Sequence, residues 1–117
     1  MNISLRNAFT LIELIIVVAI TAIALTIAVP NYVRSREESH KNGCIANLRQ
    51  INSAIDQWVM ENRISVGTVP SDTEEEEIYA YIKGVRPRCP SGGAYAIHDA
   101  GSLEQVTCSL ADRGHRI

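Results

Sequence analysis

The chain has 117 residues, a formal charge of −2 and 46% hydrophobic residues. That leaves room for one small domain beyond an apolar start, and no basic patch interleaved with aromatics gives support to nucleic-acid binding. Three cysteines, Cys44, Cys89 and Cys108, include no CxxC pair and point to one disulfide plus one buried free thiol.

The first predicted element is an apolar helix. Residues 9–29 are Phe, Leu, Ile, Val and Ala, relieved only by Thr10, Glu13, Thr21 and Thr26. At about 1.5 Å per residue the stretch is roughly 31 Å long, enough to cross a hydrocarbon core of about 30 Å. A carboxylate in such a helix costs about 2.5–3.5 kcal/mol at its centre and less near its end, so Glu13 needs compensation. A secretory signal peptide, with Arg6 as its basic start and Ala22-Ile23-Ala24 as its cleavage site, requires a shorter run without a charge. A plain membrane anchor fits the length and leaves Glu13 unexplained.

The heptapeptide Ala8-Phe9-Thr10-Leu11-Ile12-Glu13-Leu14 resembles the processing site of type IV pilins and type II secretion pseudopilins. The resemblance implies a leader, residues 1–8, cut between Ala8 and Phe9 by prepilin peptidase, with the new amino group of Phe9 methylated. Glu13 then stands at the fifth mature position, and Pro30 closes the apolar run in "AVPNY" as in that family. Two departures stand out. The family's usual Gly before the cut is Ala8 here, and its usual Gly within the run is missing from "AITAIAL". The implied role of Glu13 is to neutralise the ammonium of Phe9, on its own chain or a neighbour, and so to set register in an assembly. A paired charge tolerates a dry setting that an isolated one does not. Arg6 precedes the run while Arg34, Arg36 and Lys41 follow it, so charge does not fix orientation. A cytoplasmic leader rests on the resemblance, with help from the cysteines.

Residues 30–62 are expected to continue the helix as an amphipathic half, to a total of roughly 80 Å. Pro30 and Gly43 are its weak points. Cys44, Leu48, Ile51, Ile55 and Trp58 recur at steps of 4, 3, 4 and 3, one apolar stripe in need of a cover. Residues 63–117 form the small C-terminal domain that supplies it. Ser71 or Asp72 is placed to cap a short helix with Glu74 to Glu77 in its first turns, Ile78, Tyr81 and Ile82 on its buried edge, and Gly84 just past its end. The acidic run reads as capping rather than a cation site. A hairpin follows: residues 94–98, a turn around 99–102, and 106–109. The stretch from Cys89 to Cys108 also resembles, more weakly, the "CPxGGxY…C" ending of some small pilin-like proteins.

Cys89, His98, Cys108 and His115 offer the donor types zinc favours, but their spacing matches no familiar finger. The expected pairing is a Cys89–Cys108 disulfide, whose loop of about 20 residues contributes roughly 3 kcal/mol. Cys44 packs in the stripe, and Cys44–Cys89 is the alternative bridge. No phosphate loop, HExxH or GxSxG is present in the sequence, so neither catalysis nor a metal or cofactor is expected.

The expectation is an α+β, pilin-like fold: a long N-terminal helix, its first half transmembrane, packed on a small domain with a short helix and a β-hairpin. By resemblance, the chain is a filament subunit held in the inner membrane, its C-terminal domain periplasmic. It polymerises with copies of itself through an assembly ATPase and an inner-membrane platform protein, into a periplasmic or extracellular filament. The alternative is a monomeric membrane-tethered periplasmic binding module.

Overall fold

A computed structural model describes residues 9–117; residues 1–8, the expected leader with Arg6 and Ala8, lie outside the described residues. The fold is α+β, in the order α1 (Leu11–Asn62), α2 (Asp72–Ala80), β1 (Tyr95–Ile97), β2 (Val106–Cys108) and a 3-10 turn over Ala111–Arg113. Contacts divide the chain into a first unit reaching to Arg36 and a second running Glu37–Ile117.

In the first unit α1 is apolar all round, and its side chains from Leu11 to Val33 are exposed. The two interior threonines do not interrupt this surface. Thr21 Oγ1 donates to the Val17 carbonyl at 2.9 Å, and Thr26 Oγ1 to the Ile23 carbonyl at 2.7 Å. Both hydroxyls are thereby spent on their own helix. Pro30 lies inside α1, where it lacks the N–H that would pair with the Thr26 carbonyl.

In the second unit the stripe predicted from spacing is the core. Cys44, Leu48, Ile51, Ile55 and Trp58 are buried, joined by Ala54. Their cover is Ile78, Tyr79 and Ile82 from the α2 region, with Cys89, Ile97, Ala100, Val106 and Cys108 from the hairpin region. Each large aliphatic side chain so buried contributes about 1.5–3 kcal/mol. Trp58 Nε1 finds its acceptor in Glu77 Oε2 at 3.3 Å.

Ser71 caps α2. Its backbone N–H and its Oγ both donate to Glu74 Oε2, at 2.8 and 2.7 Å. The helix ends earlier than Gly84 suggests, with Tyr81 as its C-cap in the right-handed region. The buried edge is Ile78, Tyr79 and Ile82, whereas Tyr81 is half-buried and its hydroxyl donates to Glu61. Arg86 takes the exposed side of α2, 3.9 Å from the centroid of the Tyr79 ring and 3.2 Å from Glu76.

The hairpin is antiparallel, pairing Tyr95 with Cys108, Ala96 with Thr107 and Ile97 with Val106. Its ladder is shorter than predicted, although Ser109 N–H to the Ala94 carbonyl (2.9 Å) and His98 N–H to the Gln105 carbonyl (2.7 Å) extend it at both ends. The intervening loop is pinned by a bridge between Thr68 and Ala100 and by Gln105. The Gln105 amide donates to Asp56 Oδ1 (2.8 Å) and Asn52 Oδ1 (3.2 Å) on α1 and accepts the Gly101 N–H (2.8 Å).

Candidate assembly segment and a buried thiol cluster

Glu13 sits in the first turn of α1, three residues after Thr10. The Thr10 N–H and Oγ1 donate to Glu13 Oε2 at 3.2 and 3.1 Å, and the Glu13 N–H returns a bond to Thr10 Oγ1 at 3.4 Å. This is a reciprocal capping box, with a carboxylate on the positive end of the helix dipole. Glu13 Oε1 has no hydrogen-bond partner among the described residues. Sequence reasoning assigned Glu13 an ammonium partner and missed the local one, although a Thr-x-x-Glu pattern opening an apolar run is a recognisable signal.

No residue of the apolar window in α1 is buried, and among the described residues α1 alone is long and apolar enough to cross a membrane. Leu11 is 76% exposed, Ile20 62% and Val29 55%. A continuous apolar surface of this extent is far above what a soluble monomer leaves in water. It requires lipid or other helices around it.

The second unit carries a different kind of site. The thiols of Cys44, Cys89 and Cys108 are free and buried, and together with the ring of His115 they form one cluster. The expected Cys89–Cys108 disulfide is not formed in this structure, and Cys44 joins the other two sulfurs rather than packing among aliphatic side chains alone. His98 stands outside the group, exposed, with Nε2 2.8 Å from Thr107 Oγ1. Burial pushes the Cys44 thiol up to about 12, against a lowering hydrogen bond from Tyr95. Burial also raises Cys89, yet backbone N–H groups of Ser91 and Gly93 and the two neighbouring thiols outweigh it, and the net direction is downward.

The comparisons with known proteins bear on the N-terminal segment first. A family model described as the prokaryotic N-terminal methylation motif matches residues 3–29. The ComG operon protein 3 homolog of Bacillus licheniformis is 32% identical over 92 residues, covering 79% of this chain and 90% of that protein. The chain belongs to the type IV pilin and pseudopilin family. Fimbrial protein Q of Moraxella bovis is 33% identical over 92% of this chain and 73% of its own length. Type II secretion system core protein G of Klebsiella michiganensis is 25% identical over 86% and 79% respectively. No solved structure matches the chain. The matched motif spans Ala8, Phe9 and Glu13, so the pilin-family segment coincides with the exposed apolar part of α1. The thiol cluster lies outside that motif.

Proposed function

We propose that this chain is a structural subunit of a type IV pilus-like or type II secretion pseudopilus filament, stored in a membrane and polymerised through the first half of α1. The observation that carries this reading is an apolar surface, exposed on every side, within the segment that matches the methylation motif. In this reading prepilin peptidase removes residues 1–8 between Ala8 and Phe9 and methylates Phe9. Residues 9–29 hold the mature subunit in the inner membrane, with the C-terminal part in the periplasm. An assembly ATPase and a platform protein then move it into the filament, where the same apolar surface meets other copies. Glu13 retains its second oxygen for the Phe9 ammonium of a neighbour, and Pro30 ends the apolar segment.

The function is scaffolding rather than catalysis, as the names of the relatives suggest. The test is to express the chain with a complete assembly system, shear the cells and examine the released material by electron microscopy and immunoblotting. Subunits recovered in filaments support the reading. Subunits that stay in the membrane as monomers, under conditions where a known pilin assembles, favour a membrane-tethered module instead.

A further inference from the structure

Cys44, Cys89, Cys108 and His115 come from four separate stretches of the second unit: α1, the loop before β1, the end of β2 and the tail after the 3-10 turn. All four are buried, and their ligand atoms lie within 4.8 Å of one another. A tetrahedral zinc ion with Zn–S of about 2.3 Å and Zn–N of about 2.0–2.1 Å has S···N edges of about 3.6 Å and S···S edges of about 3.8 Å. Cys89 Sγ and His115 Nδ1 stand 3.6 Å apart. A disulfide needs sulfurs at about 2.03–2.05 Å, and it would take two of the three, leaving a buried thiol and a buried imidazole beside it.

The surroundings of the sulfurs give a second, independent observation. A side-chain donor points at one of them. Tyr95 OH donates to Cys44 Sγ at 3.5 Å and is itself held by Asn47 Nδ2 at 3.2 Å. Donors in this position orient thiolate ligands and spread their charge, as outer-shell groups do around metals.

Two glycines keep room for the close approach. A Cβ on Gly93 would stand 2.7 Å from Cys108 Sγ, and one on Gly43 would stand 3.2 Å from Pro90 Cγ. Each adjoins the cluster, one on the Cys89 loop and one beside Cys44 in α1.

We infer that the second unit holds one structural zinc ion, bound by the thiolates of Cys44, Cys89 and Cys108 and by the neutral imidazole of His115. Binding forms three Zn–S bonds and one Zn–N bond and releases the three thiol protons to solvent, with no change in oxidation state. The bound site carries one net negative charge, which the Tyr95 hydroxyl partly offsets. Four protein ligands leave no open position, so the ion serves folding rather than catalysis. Thiolate and imidazole donors select zinc over calcium and magnesium, which take oxygen ligands. The ion ties α1, the Cys89 loop, the hairpin and the C-terminal tail together at one point, and metal binding becomes part of the folding free energy.

The test uses the full chain in detergent, purified without chelators. Elemental analysis is expected to find about one zinc per chain, with all three thiols resisting alkylation until a chelator withdraws the metal. Cobalt in place of zinc should give the sulfur-to-cobalt charge-transfer band and the intense visible absorption of a tetrahedral site. That readout needs only the wild-type chain, so it decides the question even where Cys108→Ser or His115→Ala fails to fold. Folded His115→Ala should lose zinc and His115→Cys should keep it. His98→Ala should retain it fully. Tyr95→Phe should still bind one zinc, with affinity about tenfold weaker.

The proposal is overturned if the native chain is two hydrogens lighter with a mapped Cys89–Cys108 or Cys44–Cys89 disulfide. It also falls if the reduced, folded chain takes up no zinc when zinc is in excess, or if another metal is found at full occupancy. Loss of zinc from His98→Ala as complete as from His115→Ala counts equally against it.

Discussion

Gln105 is a single buried amide that satisfies groups from three directions, two on α1 and one in the hairpin loop. Truncating it removes three part-buried hydrogen bonds. Gly101 and Asp56 are exposed and Asn52 half-buried, so water can reach the partners and the cost is the net worth of such bonds, about 0.5–1.5 kcal/mol. Gln105→Ala is therefore expected to lower stability by about that amount, read as an earlier urea midpoint by the fluorescence of Trp58, the chain's one tryptophan. An unchanged midpoint would mean that water replaces the amide. Glu13 is the other residue whose worth lies in its partners. Glu13→Val removes the Thr10 cap but makes the segment more apolar, so membrane insertion should persist while incorporation into filaments falls. Normal co-assembly with wild-type subunits would remove any register role from this carboxylate. The presence of Glu13 in an apolar run was plain in the sequence. Its bond to Thr10 was legible as well, in the Thr-x-x-Glu spacing that opens the run.

At the scale of elements, α2 shows how a short helix of moderate propensity is held at its start. Two Ser71 hydrogen bonds to the Glu74 carboxylate, the backbone bond first and the hydroxyl second, hold its pKa below the ordinary glutamate value. A depressed carboxylate stabilises the fold above its ordinary pKa, and that contribution disappears as pH falls through the depressed value. An NMR titration should place Glu74 below the ordinary glutamate value, and Ser71→Ala should move it back up. A Glu74 that titrates at the ordinary glutamate value would dismiss the cap as an electrostatic device.

The stripe on α1 and the existence of the hairpin were legible because each is a local periodicity. The thiol cluster was not. Cys44 and Cys89 are far apart in sequence, and only the packing of the hairpin against α1 brings them together. The choice between His98 and His115 was equally closed to spacing. His98 adjoins β1 and turns to Thr107, whereas the chain reverses through the 3-10 turn, and Gly114, in the left-handed region at φ 86°, delivers His115 to the interior.

For the molecule as a whole, the processing reading is checked by intact mass. Protein isolated from its own membrane should begin at Phe9 and carry one methyl group, and Ala8→Gly should be cut at least as efficiently. Full-length chain persisting beside active peptidase would break the link between the motif and maturation.

The apolar band of α1 has a geometric corollary. Two cylinders coated uniformly in hydrocarbon can turn about their long axes, or slide along them, with little change in energy. Thr21 and Thr26 do not alter this, because their hydroxyls are folded back onto their own backbone. Between Leu11 and Val29 the surface therefore offers one polar landmark, Glu13. One landmark on a cylinder can define a height and a bearing, but it tolerates no second, conflicting instruction. In the proposed filament, the azimuth of one subunit against the next would come either from that carboxylate or from residues beyond Pro30, with the hydrocarbon between them supplying cohesion without direction.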